Sequence, residues 1–436
     1  MDYFDFSVES GILIFFISSA LFYSSVGFWK SKIKLFVPYT DKNVDGLLVV
    51  DCSHPYVNQL THHLKGKTQR NKMDLSLQGD TSTDAVINAV KKRHSVLRDN
   101  MLVTANHFDI DSFLSVWCCL NCDSALNFEN IIRDCARIGD FRELRLDHKW
   151  QDISLRLACY LNSQEKNLFY RPFESEISLE FGEVGCNQKF EHFLPIFHGI
   201  INSTTNPDVV KLYSDEYDRV VAEYNSLEET KLSNTIYYHD IGLVLVHAKE
   251  PLHYYSLFSQ SIGFDIVLSI YSNGRYELEQ KYTTHVDIAS RHVLPRVNMV
   301  NLARVLNRLE ESRRSRDEVP NTQTTVMRSH ETAAKQTKYQ WVANRYTDSG
   351  PLLRLESSDK RLTKAERYGH PFERPIYSSL ISPETMTATV ISFFQHSYRG
   401  IRPKMDWEWE EIHEINNGID WRSWEDLVIA SSLKEH

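Results

Sequence analysis

Basic charge, paired cysteines and repetition are all scarce in this 436-residue chain, and each scarcity excludes a class of protein. Its 49 lysines and arginines are outweighed by 58 acidic residues, for a net charge of -9. That balance argues against a protein that coats nucleic acid, and no stable nucleic-acid partner is expected. The seven cysteines are an odd number in a long chain, which fits thiols in a reducing compartment better than a disulfide framework. Cys118, Cys119 and Cys122 lie close together, but no second Cys-x-x-Cys completes a zinc site, so they read as small core residues. No internal repeat is evident. A hydrophobic share of 42% against 25% charged residues is that of a globular protein, and the length leaves room for two domains plus appendages.

Ser10 to Trp29 is an uncharged, mainly apolar run of about the length that spans a bilayer. Asp2, Asp5 and Glu9 precede it, and Lys30, Lys32 and Lys34 follow. A cleaved secretory signal has the opposite polarity. The expectation is a single-pass transmembrane anchor with the body on the cytoplasmic side, a buried or interfacial helix being the alternative. The sequon Asn202-Ser203-Thr204 then carries no meaning, since glycosylation needs the lumen.

The centre of the chain is Met101 to Leu120. Met101, Leu102, Val103 and Ala105 read as a short buried strand, and Phe113, Val116, Trp117 and Leu120 fall on one face of a helix. His107, Asp109 and Asp111 lie on the turn between them, where ligands bind in α/β sheets. An imidazole with two carboxylates on alternate residues suits Mn, Zn or Fe better than Ca. The plainer reading is that Asp109 or Asp111 caps the helix and His107 is a hydrogen-bonded loop residue. An EF-hand is excluded, because the glycine and the distal glutamate are missing.

Around this centre we expect an α/β fold: a Rossmann-like parallel-sheet domain over residues 36–205, a connector helix over 206–235, and a smaller α+β domain over 236–380. The anchor would occupy 1–35. Leu47 to Val50, closing on Asp51, reads as the first strand. Asp80-Thr81-Ser82-Thr83 precedes an apolar helix that Asp80 or a neighbouring hydroxyl caps. A later helix is expected to stop at Gly139, leaving Asp140 at its exit as a further candidate ligand. Ser272-Asn273-Gly274-Arg275 marks a hairpin. Residues 311–338 are polar and Arg- and Thr-rich, and read as a disordered insertion. Residues 381–436 hold a last clear helix and a tail with Trp407, Trp409, Trp421 and Trp424, which need burial on the body or on a partner.

Asn106-His107-Phe108-Asp109-Ile110-Asp111-Ser112, with Ser115, resembles the first motif of the DHH phosphoesterase superfamily. The strand, helix and hairpin over Leu243 to Lys281 are similar in order to the C-terminal domain of those enzymes. Phe36 to about Pro375 is also similar to a family of uncharacterised, mainly bacterial proteins, through Leu60-Thr61-His62-His63, Asp80-Thr81-Ser82, the His107 motif and Ala136 to Phe141. The DHH resemblance implies that His107, Asp109, Asp111 and Asp140 hold one or two divalent ions, manganese first, with zinc or iron as alternatives. It brings His63 and Asp80 in as catalytic residues. The substrate would be a phosphoester or phosphoanhydride, a phosphorylated small molecule or short nucleotide, attacked by a metal-activated water. The chain departs from the superfamily in having no downstream Asp-His-His motif and no Gly-Gly-Gly loop. Two rivals follow: a haloacid-dehalogenase type of phosphatase, disfavoured by the intervening Asn106-His107-Phe108, and a non-catalytic membrane-tethered scaffold with a DHH-like fold.

Overall fold

Short apolar runs closed by polar residues form the first sheet of the computed structural model, which describes residues 34–64, 73–169, 186–317, 339–359 and 369–432. Strands β1 (Leu35–Phe36), β2 (Leu47–Val50), β3 (Asn58–Leu60) and β4 (Leu102–Thr104) are parallel, in the order β1-β4-β2-β3. Every residue of β2 is buried, as expected for an apolar strand with neighbours on both edges and covered faces. The chain crosses from β3 past β2 to β4. The carboxyl ends of β2 and β4 therefore flank a topological switch point, where such a sheet opens a crevice.

Helices α1 (Ser82–Lys91), α2 (Ile110–Leu120), α3 (Glu129–Phe141), α4 (Gln151–Phe169) and α5 (Cys186–Ile201) pack in succession around this sheet. Thr81, not Asp80, caps α1: its hydroxyl accepts from the Asp84 amide, and the Asp84 carboxylate accepts in return from the Thr81 amide. On α2 the expected face is buried, with Phe113 and Trp117 against Phe197 of α5. α3 does not stop at Gly139. It continues to Phe141 and is capped by Arg142 in the left-handed region, so Asp140 sits inside the last turn. The glycine is there for packing, since a Cβ would lie 2.6 Å from the Ile110 Cβ of α2.

α6 (Ser214–Asn234) runs straight into the second sheet. That sheet has strands β5 (Thr235–Tyr238), β6 (Leu243–Ala248), β7 (Ile266–Tyr271), β8 (Arg275–Gln280), β9 (Tyr339–Ala343) and β10 (Leu352–Ser357), in the order β5-β6-β7-β8-β10-β9. Only β6 and β7 pair in parallel. Asn273 and Gly274 both take positive φ, 64° and 66°, the pairing that a two-residue hairpin between β7 and β8 requires. Helices α7 (Val300–Asp317), α8 (Pro383–Ser397), α9 (Trp409–Gly418) and α10 (Trp421–Ser432) lie C-terminal to the hairpin. Trp424 is buried against Phe393, and Trp421 stacks on the same ring, so the tryptophan-rich tail completes the core of its own chain.

Two expectations are corrected here. The first sheet is small, with four strands of two to four residues, and the region expected to be the smaller domain carries the larger, six-stranded sheet. The transmembrane element is set aside as well. No helix among the described residues is long and apolar enough to cross a membrane, and Ser10 to Trp29 lies outside them. The single-pass placement and its cytoplasmic side go with it. The stretch expected to be disordered begins as helix, since α7 extends to Asp317, and 318–338 lies outside the described residues. Residues Lys34 to His436 form one compact unit containing both sheets.

Candidate metal centre

Asp51 follows β2 directly and is the hub of the crevice. Its φ of 52° lies in the left-handed region, which non-glycine residues rarely occupy, and its amide donates to the Leu60 carbonyl at 3.0 Å. Its buried carboxylate meets three imidazoles. Oδ1 is 3.5 Å from His62 Nε2 and 3.4 Å from His63 Nε2, and Oδ2 is 3.3 Å from His107 Nε2. The Ser82 hydroxyl donates to Oδ1 at 2.7 Å and fixes the group. His62 Nε2 is also 3.6 Å from Asp111 Oδ2 and 3.3 Å from Asp140 Oδ2. The ends of three adjacent strands and the helices α2 and α3 thus converge on one point.

The tautomer of His62 decides what that point can hold. Its Nδ1 is 2.6 Å from the Asp80 carbonyl oxygen, which can only accept, so Nδ1 carries the hydrogen. The Nε2 lone pair of the neutral ring then faces three carboxylates. Only a proton or a cation relieves that arrangement. His62 Nε2, His63 Nε2 and Asp140 Oδ2 are buried and have no hydrogen-bond partner among the described residues, the sign of groups waiting for one. Ligand bonds of about 2.1 Å place neighbouring donor atoms roughly 3.0 to 3.4 Å apart in octahedral or tetrahedral shells, close to the separations seen here. His107 repeats the device, with Nδ1 2.7 Å from Asn106 Oδ1 and Nε2 turned to Asp51 and Asp109. Metal-ligating histidines are held in this way by the hydrogen on their other nitrogen.

A second histidine cluster fails the same test. Glu216, His253 and His370 lie within ligand distance of one another. However, His253 Nδ1 accepts from the Tyr255 amide at 3.1 Å, and His370 Nδ1 accepts from the Tyr254 amide at 3.4 Å. Both rings therefore carry hydrogen on Nε2 and act as caps to the helix Tyr254–Ser259.

The charge states agree with a cluster short of positive charge. Burial pushes the Asp111 carboxyl up to about 7, with the Asp51 charge adding to it. Burial likewise raises Asp140 well above the carboxylate range, aided by Asp111, Asp109 and Asp51. Asp51 goes the other way: burial opposes its charge, but His107, His62 and His63 hold it well below the usual range. Burial opposes the His62 charge too, yet Asp51 and Asp111 lift it to about 9. Without a cation, the site holds itself together by sharing protons.

The structure brings together five of the expected residues: His63, His107, Asp109, Asp111 and Asp140. Asp111 is also anchored, its two oxygens accepting from the Ser82 and Thr83 amides at 2.8 and 2.9 Å at the start of α1. Asp109 divides its carboxylate, capping α2 through the Ser112 amide at 2.8 Å and meeting His107 Nε2 at 3.1 Å. Asp80 turns its side chain away, accepting from the Ala289 and Ser290 amides and pairing with Arg137 at 3.1 Å. It serves the site through its backbone carbonyl alone. Sequence reasoning missed Asp51 and His62 as candidate ligands. The available signal for Asp51 was an acid at the end of a fully apolar strand, the same argument that selects His107.

The second half of the chain closes the site. The Tyr282 ring lies 6.0 Å from that of His62 and stacks on His285. A cavity of about 530 Å³ is lined by Cys52, His63, Asn106, His107, His285 and Trp409. A larger one of about 980 Å³ reaches Asp109 and Gly139 and extends to Arg142 and Tyr254.

Carboxylates and correctly oriented imidazoles at the ends of parallel strands define an α/β protein built around a candidate divalent-metal centre. Over residues 32–405 the chain matches the model of a family of unknown function, DUF6687, and it belongs to that family. No curated protein matches it.

Proposed function

We propose that this protein is a metal-dependent hydrolase of phosphoesters or phosphoanhydrides. The observation that carries the reading is the buried His62 Nε2, fixed by the Asp80 carbonyl so that its lone pair faces Asp51, Asp111 and Asp140. Those four residues would hold one divalent cation. His63, His107 and Asp109 would hold a second, with Asp51 shared between the two. Such a pair supplies Lewis-acid stabilisation of a phosphoryl oxygen and a nucleophilic water at neutral pH, so no side-chain nucleophile is required. The protein's part is to hold the donors: Ser82 orients Asp51, the first turn of α1 orients Asp111, and Phe141 and Tyr282 shield His62 from water. The likeness of the His107-Asp109-Asp111 spacing to the first DHH motif supports the same chemistry. His62 and His63 would supply imidazoles where the downstream Asp-His-His motif is absent.

The test is hydrolysis of p-nitrophenyl phosphate, bis(p-nitrophenyl) phosphate and pyrophosphate by the full-length protein with manganese, beside His62→Ala. Chelator-sensitive turnover that falls at least about 100-fold in His62→Ala supports the proposal. A metal-loaded wild type that turns over none of these, or turnover that survives in His62→Ala, contradicts it.

A further inference from the structure

Resting on that reading, we propose that His285 is a catalytic residue delivered by the second half of the chain, whose Nε2–H donates to a phosphoryl oxygen in the cavity beside His63 and His107. The argument is again one of tautomers. Arg296 Nη1 lies 3.2 Å from His285 Nδ1 and has no lone pair to accept with, so Nδ1 faces it as an acceptor, sharing the two Nη1 hydrogens with the carbonyls of Tyr346 and Asp348. A ring that accepts at Nδ1 carries its hydrogen on Nε2. His285 is therefore the opposite of His62: unsuited to ligate, and ready to donate to an anionic oxygen.

Arg296 is placed to enforce this state. It is fully buried, and its guanidinium donates to Thr284 Oγ1 at 2.7 Å, to the carbonyls of Lys281 at 3.2 Å and Tyr346 at 3.1 Å, and to those of Asp348 and Ser349. These partners leave it no freedom to turn away, and its fixed charge opposes a second proton on His285. The ring itself is held between Tyr282, stacked at 5.3 Å, and Trp409, edge-on at 5.2 Å. His63 lies 6.3 Å away, ring to ring, and His285, His63 and His107 line one cavity. No hydrogen bond joins Nε2 to a described residue, and the ring lines that cavity. A preorganised neutral donor beside developing negative charge is the arrangement of an oxyanion hole.

The experiment uses full-length protein loaded with manganese, as wild type, His285→Gln and His285→Phe. Metal content, calorimetric binding of inorganic phosphate, and ring-nitrogen NMR of ¹⁵N-histidine-labelled samples are measured on each. Metal content should be the same in all three. Phosphate affinity should fall about tenfold or more in His285→Phe and stay within about threefold in His285→Gln, whose amide still donates. The ring signal lost in both variants should be that of an Nε2–H tautomer at pH 7. Unchanged phosphate affinity in His285→Phe, a lost signal belonging to the Nδ1–H tautomer, or loss of metal from His285→Gln would each overturn the donor role. A wild type that takes up no metal would instead fail the metal reading, and this proposal with it.

Discussion

Asp140→Asn should stabilise the protein without metal and destabilise it with metal. The wild-type Asp140 Oδ2 is buried with no hydrogen-bond partner among the described residues, 3.3 Å from His62 Nε2. Burial and the neighbouring carboxylates raise its pKa, so ionising it in the folded state opposes folding, increasingly so as pH rises above the ordinary carboxylate value. Asparagine has nearly the same shape, carries no charge, and can turn its amide oxygen to a protonated His62 Nε2 or its nitrogen to a neutral one. An unsatisfied buried polar group costs about 1–3 kcal/mol, so removing one should return a gain of that order. In a unit this large that is roughly 1 to 4 °C in Tm. With metal the sign reverses. A ligand at a hundred times its Kd stabilises by about 2.7 kcal/mol, and the variant forfeits most of that. The assay is thermal unfolding at pH 8 in chelator and in manganese. Curves that cross in order between the two conditions support the reasoning. A variant that is less stable in both, or that keeps the wild-type metal shift, refutes it.

Asp111→Asn should behave differently, because both Asp111 oxygens accept backbone amides of α1 and an amide nitrogen cannot. We expect a loss of about 1–3 kcal/mol in chelator, read from urea midpoints. The metal-free wild type should lose stability as pH rises from about 5 to 9. Both shifts act in that direction: His62, raised from 6.5 to about 9, contributes stability that is full below 6.5 and lost through 9. Asp111, raised from 3.8 to about 7, contributes stability that is lost through 7. Asp51 opposes them only under acid, where its lowered pKa matters. The two together amount to about 6 kcal/mol, and chelated urea midpoints that stay flat or rise over this range would contradict it. Gly139→Ala forces a Cβ to within 2.6 Å of Ile110 and should cost about 1–3 kcal/mol by thermal melt. His253→Asn, which keeps a capping acceptor, should leave metal content unchanged by elemental analysis.

Local chemistry made much of this molecule readable. β4 and α2 follow from the switch in periodicity at Met101 to Leu120, and the β7–β8 hairpin follows from Asn273-Gly274. Of the residues gathered at the candidate metal centre, those on the single turn His107 to Asp111 follow from local pattern, Asp140 from its place beside Gly139, and His63 only from the DHH resemblance. Asp51 and His62 were not found, because what qualifies them is long-range: a parallel register that sets β2 between β3 and β4, and a hydrogen bond from His62 to the Asp80 carbonyl, 18 residues away. Asp80 stood beside the right residues with the wrong atom. Its carboxylate answers to the amides of 289 and 290, a contact across more than 200 residues that no local pattern encodes. Gly139 was read by its usual role as a helix stop, whereas the constraint on it is the side chain of Ile110 on another helix. The extent of the second sheet was hidden for a related reason, since β9 and β10 join it after α7 and residues 318–338.

The most direct test of the account is metal content by elemental mass spectrometry, on full-length protein purified without chelator and reconstituted with manganese, beside Asp51→Asn. A carboxylate shared by two cations predicts about two equivalents in the wild type and a loss of both in the variant. A wild type that holds no metal, or a variant that keeps both, would contradict it.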